Sequence, residues 1–295
     1  ELELASLSET VDLSKLGNDA YEPLNGTLTD DQFSRSDAAN NFLGVNVTLK
    51  LNGEDAGKVD GSSVLQWISF ADPANPTLDT SQISSWAAEL ANGFNTVGST
   101  RWWTRADGKQ CAVEGGDFGW SIDSSSLAKQ VEDAINNKQT GEIEIKYSQK
   151  ADTFTAKGEP DWKAYIDVDL SEQHARYYDE NGNIVWEANF ISGKPGEDAT
   201  PEGVWQINSN NGASKLIGAK DPETGKPKYE SPVSYWMPFE AMVGFHDATW
   251  QNDKSFDNAE SYKWCGSHGC INLRLADAKA LHDCIKVGLC VVVHS

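Results

Sequence analysis

Residues 266–274 read Gly-Ser-His-Gly-Cys-Ile-Asn-Leu-Arg, with the pair His246-Asp247 placed upstream. Cys270 is the candidate nucleophile, because a thiolate attacks a carbonyl well and a nearby imidazole can lower a thiol pKa towards neutrality. Gly269 lets main-chain amides approach a substrate oxygen, as an oxyanion hole requires. Beyond Cys270 the apolar residues Leu273, Leu275, Ala278, Leu281 and Ile285 fall close to helical spacing before Gly288. The sulfur is therefore expected at a turn that enters a packed helix.

Working outward, 295 residues with 39% apolar content favour two domains. The net charge of -21 is spread over both halves, with 23 acids and 11 bases in residues 1–150 and 22 and 13 in the rest. Such a field repels phosphate backbones and argues against a nucleic-acid partner. No run of about 18 apolar residues spans a bilayer. Glu1 to Leu4 lack the order of a secretion signal, so a mature or excised soluble portion is expected, with membrane attachment only through an N-terminal anchor outside this sequence. Five cysteines are an odd number, which leaves at least one free thiol and keeps open a bridge between two of Cys265, Cys284 and Cys290. Cys265, His268, Cys270 and His246 have the chemistry of a zinc site, but Cys265 and Cys270 are not spaced as a two-residue knuckle. Neither metal nor cofactor is expected.

Residues 1–44 are polar and weakly patterned, an N-terminal arm or the remnant of a preceding module. Residues 45–150 read as a small mixed α/β domain. Strands are expected over Val45–Leu51 and Val64–Phe70, and a helix over Ile83–Ala91 with a cap among Asp79, Thr80 and Ser81. Asp107-Gly108 signals a hairpin, Ser124 to Ser126 open a second helix to about Ile135, and Glu142–Tyr147 alternates as a strand. Trp102, Trp103, Phe118 and Trp120 are either a glycan-stacking platform or core packing. Ser148 to Asp161 reads as a linker or domain edge. From 160 to 295 the pattern is of strands: Ala164–Leu170, Ala175–Tyr178, Ile184–Ile191 after the Asn181-Gly182 turn, Val204–Asn208 and the closing run Cys290–His294. The fold class is α+β, the small mixed domain being followed by a β-rich one.

This second domain resembles the L,D-transpeptidase catalytic domain, also called YkuD, over nearly its whole length. The carrying residues are Tyr165 to Ser171, Ser192-Gly193-Lys194, Thr200 to Val204, Ser234 to Phe239, Phe245 to Ala248 with Trp250, and Gly266 to Leu273. One departure is that 20 residues separate His246 from Ser267, which implies a longer lid over Gln251 to Lys263. Leu78 through Ser148 is similar to the module, named for peptidoglycan binding, that often precedes such domains.

The resemblance implies that Cys270 is the nucleophile and His246 its base, with Asp247 orienting the imidazole through its main-chain carbonyl. It implies that His268 and Gly269 line the pocket and join the Cys270 amide at the oxyanion. Ser267, Asn272 and Arg274 are then expected to touch substrate or the residues that hold it, and Tyr235 and Trp236 to touch substrate. The implied reaction is acyl transfer from a peptidoglycan tetrapeptide stem with loss of D-Ala, giving 3-to-3 cross-links, or L,D-carboxypeptidase action if water is the acceptor. Partners implied are stem peptides, glycan and carbapenem-type β-lactams, in an extracytoplasmic, cell-wall or cell-surface setting. The rival reading is a non-catalytic wall-binding protein on the same fold.

Overall fold

The computed structural model describes residues 36–295 apart from 73–74, 156–157, 219, 221, 223 and 228. Of the arm expected over 1–44, residues 1–35 lie outside the described residues, while Ala39, Phe42 and Leu43 pack on the first core. Val47, Leu49 and Leu51 point inward along strand β1 (Asn46–Leu51), which pairs antiparallel with β2 (Glu54–Asp60). Asn52 and Gly53 join them with φ of 54° and 83°, the left-handed pair that a two-residue hairpin turn needs.

Helix α1 (Thr80–Phe94) starts where the Asp79 carboxylate accepts the Ser81 and Gln82 amides, and buries Ile83, Ala87 and Ala91. A hairpin of β3 (Arg101–Thr104) and β4 (Gln110–Val113) follows, with Arg101 paired to Val113. Helix α2 (Ser124–Asn136), capped by Asp123, packs on α1, and β5 (Thr140–Glu144) lies parallel to β1.

Two expectations are corrected here. Residues 64–70 are not one strand: Asp60 accepts the Ser62 and Ser63 amides and starts a helix over Gly61–Gln66, leaving only Ile68–Ser69 extended. Nor do the four aromatics form a platform. Strand alternation exposes Trp102 at 60% and buries Trp103, while Phe118 and Trp120 lie in the core at 3% and 1%.

The second half is built on a five-stranded sheet. In spatial order it runs β8 (Ile184–Asn189), β7 (His174–Tyr178), β6 (Tyr165–Asp169), β15 (Cys290–His294) and β9 (Gly203–Gln206), with β6 and β15 parallel and the other pairs antiparallel. Both central strands are buried on both faces. Ile166, Val168, Val291 and Val293 join a core with Phe239, Phe245, Ile271 and Leu281. Tyr165, Cys290 and Val292 face the other way, into the core of the first half.

The stretch read as a linker is tied into this junction. Asp161 is buried, accepting from Thr96 Oγ1 at 2.5 Å and pairing with the Arg101 guanidinium at 3.3 Å. At Gly116, a Cβ would stand 2.0 Å from the Val204 carbonyl oxygen, so only glycine lets this loop lie against β9. The Phe118 amide donates to Val204 and the Val204 amide to Gly115.

Against the core packs a second sheet of β12 (Trp236–Glu240), β13 (Val243–Asp247) and β14 (Ile271–Leu273), with β13 and β14 parallel. A hairpin of β10 (Ser214–Ile217) and β11 (Glu230–Val233) stands beside it. A short helix α3 (Tyr262–Cys265) precedes the 266–274 stretch, and helix α4 (Leu275–Cys284) follows it.

Candidate active site

The parallel register of β13 and β14 sets His246 opposite Asn272, which places Cys270, the residue before β14, next to the histidine strand. Cys270 and His246 line one cavity of about 170 Å³, together with Ser267, His268, Asn272 and the hairpin residues Leu216, Tyr229 and Ser231. Trp250 and Gln251 close another side.

His246 is 3% exposed, between the rings of Trp236 and Trp250 at 6.0 and 5.8 Å. Its Nδ1 lies 3.0 Å from the Asp247 carbonyl oxygen. A carbonyl only accepts, so the neutral ring carries its proton on Nδ1 and leaves Nε2 as a lone-pair acceptor. Burial pushes the ring's pKa down, against the smaller opposing effect of Asp247, and keeps the imidazole neutral. The Asp247 carboxylate faces away from the ring and accepts the Ser234 and Tyr235 amides at 2.7 and 2.9 Å.

Cys270 is 9% exposed and its thiol donates to the Met242 carbonyl oxygen at 3.6 Å. Burial pushes the thiol up to about 11, with Glu240 adding to the rise and the Gly244 amide opposing it. The lowered thiol pKa expected from the sequence is therefore not what this site holds at rest. Desolvation of the anion dominates, and the imidazole in the same cavity is itself pushed towards its neutral form. Both shifts favour the uncharged forms, thiol and imidazole.

The turn that carries the sulfur is held by hydroxyls. Ser267 Oγ accepts the Gly269 amide at 3.0 Å and donates to the Cys270 carbonyl at 2.6 Å. Thr200 Oγ1 donates to the Gly269 carbonyl at 2.8 Å and accepts the Gly193 amide at 3.0 Å. Gly269 has φ of +115°, which a side chain would resist. Because the Gly269 amide is engaged by Ser267, only those of His268 and Cys270 remain of the three amides expected at an oxyanion.

Other expected contacts fall in different places. The His268 ring is exposed and stacks on Tyr229, centroids 4.8 Å apart. Asn272 lines the cavity, and its buried Oδ1 has no hydrogen-bond partner among the described residues. Arg274 does not line the cavity: its guanidinium bonds Asp253 Oδ1 and Asp257 Oδ1 at 2.7 Å each and covers the Phe256 ring. It holds the segment 251–265, which the Gln251 side chain also ties down by donating to the Cys265 carbonyl at 2.8 Å. Tyr235 gives only its backbone amide to Asp247, its ring packing on His282. Sequence reasoning missed Tyr229, Ser231, Leu216 and Met242, which come from segments with no pattern pointing at Cys270.

All five cysteines are free thiols, so no bridge joins Cys265, Cys284 and Cys290. Cys265 donates to the Ser261 carbonyl and is not among the residues that line the cavity. Among the described residues, the acids and histidine close enough to share a cation are Asp167, Asp169 and His294, at the junction of the two halves. Arg105 Nη1 already bonds both carboxylates, at 3.1 and 2.9 Å, and Lys109 bonds Asp169. That set is a compensated ionic cluster.

Fold and cavity together define a class, a mixed α/β protein with a buried thiol and a neutral imidazole at one site. Residues 163–293 match the YkuD family, the L,D-transpeptidase catalytic domain. The chain is similar to a crystal structure of a Cys-to-Ser mutant of the Enterococcus faecium L,D-transpeptidase, with a TM-score of 0.67 and 29% identity, over 88% of this chain and 99% of that one. A structure of the Ldtfm–avibactam carbamoyl enzyme gives a TM-score of 0.68 at 29% identity, over 89% and 98%. YciB of Bacillus subtilis, named as a candidate L,D-transpeptidase, is 28% identical over 184 residues, 58% of this chain and 85% of its own. The second half of this chain is thus an L,D-transpeptidase catalytic domain of the YkuD family.

Proposed function

We propose that the protein is a peptidoglycan L,D-transpeptidase that works by cysteine acyl transfer. The observation that carries this reading is the neutral His246, its Nδ1 held by the Asp247 carbonyl, in one cavity with the Cys270 thiol. In the first step Cys270 Sγ bonds to the carbonyl between the third and fourth residues of a tetrapeptide stem, and its proton passes to His246 Nε2. The His268 and Cys270 amides receive the oxyanion. The bond to D-Ala then breaks as His246 returns the proton to the leaving amine, and a thioester remains. An amine of a neighbouring stem attacks this thioester, its proton again passing to His246, and the thiol is released with a 3-to-3 cross-link formed. Water in place of the amine gives the carboxypeptidase reaction.

The thioester keeps the energy of the cleaved amide, so the reaction needs no nucleotide and suits an extracytoplasmic site at the cell wall. In this reading the first half of the chain holds the wall polymer, as its resemblance to a peptidoglycan-binding module implies. Among the described residues no helix is long and apolar enough to cross a membrane. The avibactam carbamoyl enzyme among the similar structures shows that such a domain takes a strained acylating inhibitor, and in this reading carbapenem-type β-lactams acylate Cys270.

The test is incubation with a defined tetrapeptide stem, read by mass. The expected products are free D-Ala and a dimer with the mass of two stems less one D-Ala, or the tripeptide where water is the acceptor, and Cys270→Ala should form none of them. Products from Cys270→Ala, or none from the wild type, would overturn the reading.

A further inference from the structure

Resting on the acyl-transfer reading, we infer that Thr200 is a positioning residue for the oxyanion, setting the direction of the Cys270 amide through its hydrogen bond to the Gly269 carbonyl. Thr200 is 6% exposed and is not among the residues that line the cavity, so it does not meet substrate. Its hydroxyl uses both of its roles on backbone, donating to Gly269 at 2.8 Å and accepting from the Gly193 amide at 3.0 Å.

A peptide unit is planar, and no cis bond occurs among the described residues, so the C=O of Gly269 and the N–H of Cys270 point in opposite directions. Fixing the oxygen on Thr200 therefore fixes the Cys270 N–H away from the 193–200 loop, on the side of the cavity that Cys270 lines. The peptide two before it, between Ser267 and His268, is set the same way. The Lys194 amide holds the Ser267 carbonyl at 3.1 Å, which turns the His268 N–H to that same side. The Gly269 peptide needs such an external hold, since glycine at φ +115° has no side chain of its own to resist rotation. Thr200-Pro201 enters β9, the sheet edge that also meets the first half of the chain, so the hold is anchored in the rigid part of the fold.

A preorganised donor acts on developing charge in the transition state and not on a saturated carbon. Thr200→Val keeps the side-chain shape and removes the hydroxyl; Thr200→Ser keeps the hydroxyl. Two reagents then separate positioning from simple damage. Ertapenem acylates through a carbonyl and needs the oxyanion site, whereas iodoacetamide alkylates the sulfur by displacement and does not. Thr200→Val should acylate with ertapenem about 10- to 100-fold more slowly than wild type, with iodoacetamide alkylation of Cys270 within about twofold, and Thr200→Ser should recover most of the loss. Equal slowing of both reagents, or unchanged ertapenem acylation in Thr200→Val, would overturn the assignment. Failure of the wild type itself to be acylated would instead strike the acyl-transfer reading.

Discussion

Two buried histidines end neighbouring β-strand systems of this molecule, and each stands beside an aspartate. His294 gives Nε2 to a carboxylate, Asp167 Oδ1 at 2.9 Å, in a cluster where Arg105 and Arg176 also reach Asp167. His246 gives Nδ1 to a main-chain carbonyl, and the carboxylate of Asp247 is occupied with two backbone amides. The first arrangement joins the two halves of the chain through charge that is paired in place. The second leaves a neutral ring with one nitrogen unused, which is what a proton acceptor needs. The same residue types make a structural tie at one site and, in the proposed mechanism, a base at the other, because of which oxygen of the aspartate faces the ring.

The largest effect should come from His246→Ala. With the thiol high and no acceptor for its proton, carbapenem acylation of Cys270 should slow by about 10²- to 10⁴-fold, measured by intact mass over time. A rate near that of wild type would move the base role to the exposed His268. At the junction, Arg105→Ala should act on stability instead. It leaves Asp167 and Asp169 without their shared cation, and breaking such a buried pair costs about 3–5 kcal/mol. Urea unfolding should report that loss, while the acylation rate of the folded fraction stays within about twofold. Asp247→Asn should be the mildest change. The amide oxygen can still accept from Ser234 and Tyr235, and the ring keeps its carbonyl, so a stability loss of about 1 kcal/mol is expected with little change in acylation. A collapse of activity in Asp247→Asn would mean that the carboxylate, not the main chain, tunes the ring.

Much of this contrast was legible in the sequence, but unevenly. The stretch around Cys270, the upstream His246-Asp247, the closing strand Cys290–His294 and the Asp107-Gly108 hairpin are local patterns, and local patterns survive folding. The same was not true where long-range packing decides. Arg274 follows the site in sequence, which leaves open whether it meets substrate or supports the site, and the acids Asp253 and Asp257 of the intervening segment that hold it give no sign of this in the chain. Tyr229 stacks on His268 from a hairpin whose sequence carries no sign of the site. The tie between the halves was hidden because Arg105 and Asp167 lie far apart in the chain, and charges read singly look like solvated surface. The expectation of a lowered Cys270 pKa missed for a related reason: the sequence shows that histidines are present to act on the thiol, but not that burial pushes the thiol up and the His246 ring down.

The central claim is that thiol and imidazole rest neutral and that the proton moves only during attack. It is tested most directly by the rate of iodoacetamide alkylation at Cys270, followed by peptide mass from pH 6 to pH 10. With the thiol pushed up to about 11, the thiolate fraction and hence the rate should climb by about tenfold per pH unit across this range, without levelling. A plateau reached near pH 7 would show a thiolate already formed beside a protonated ring, and would contradict the account.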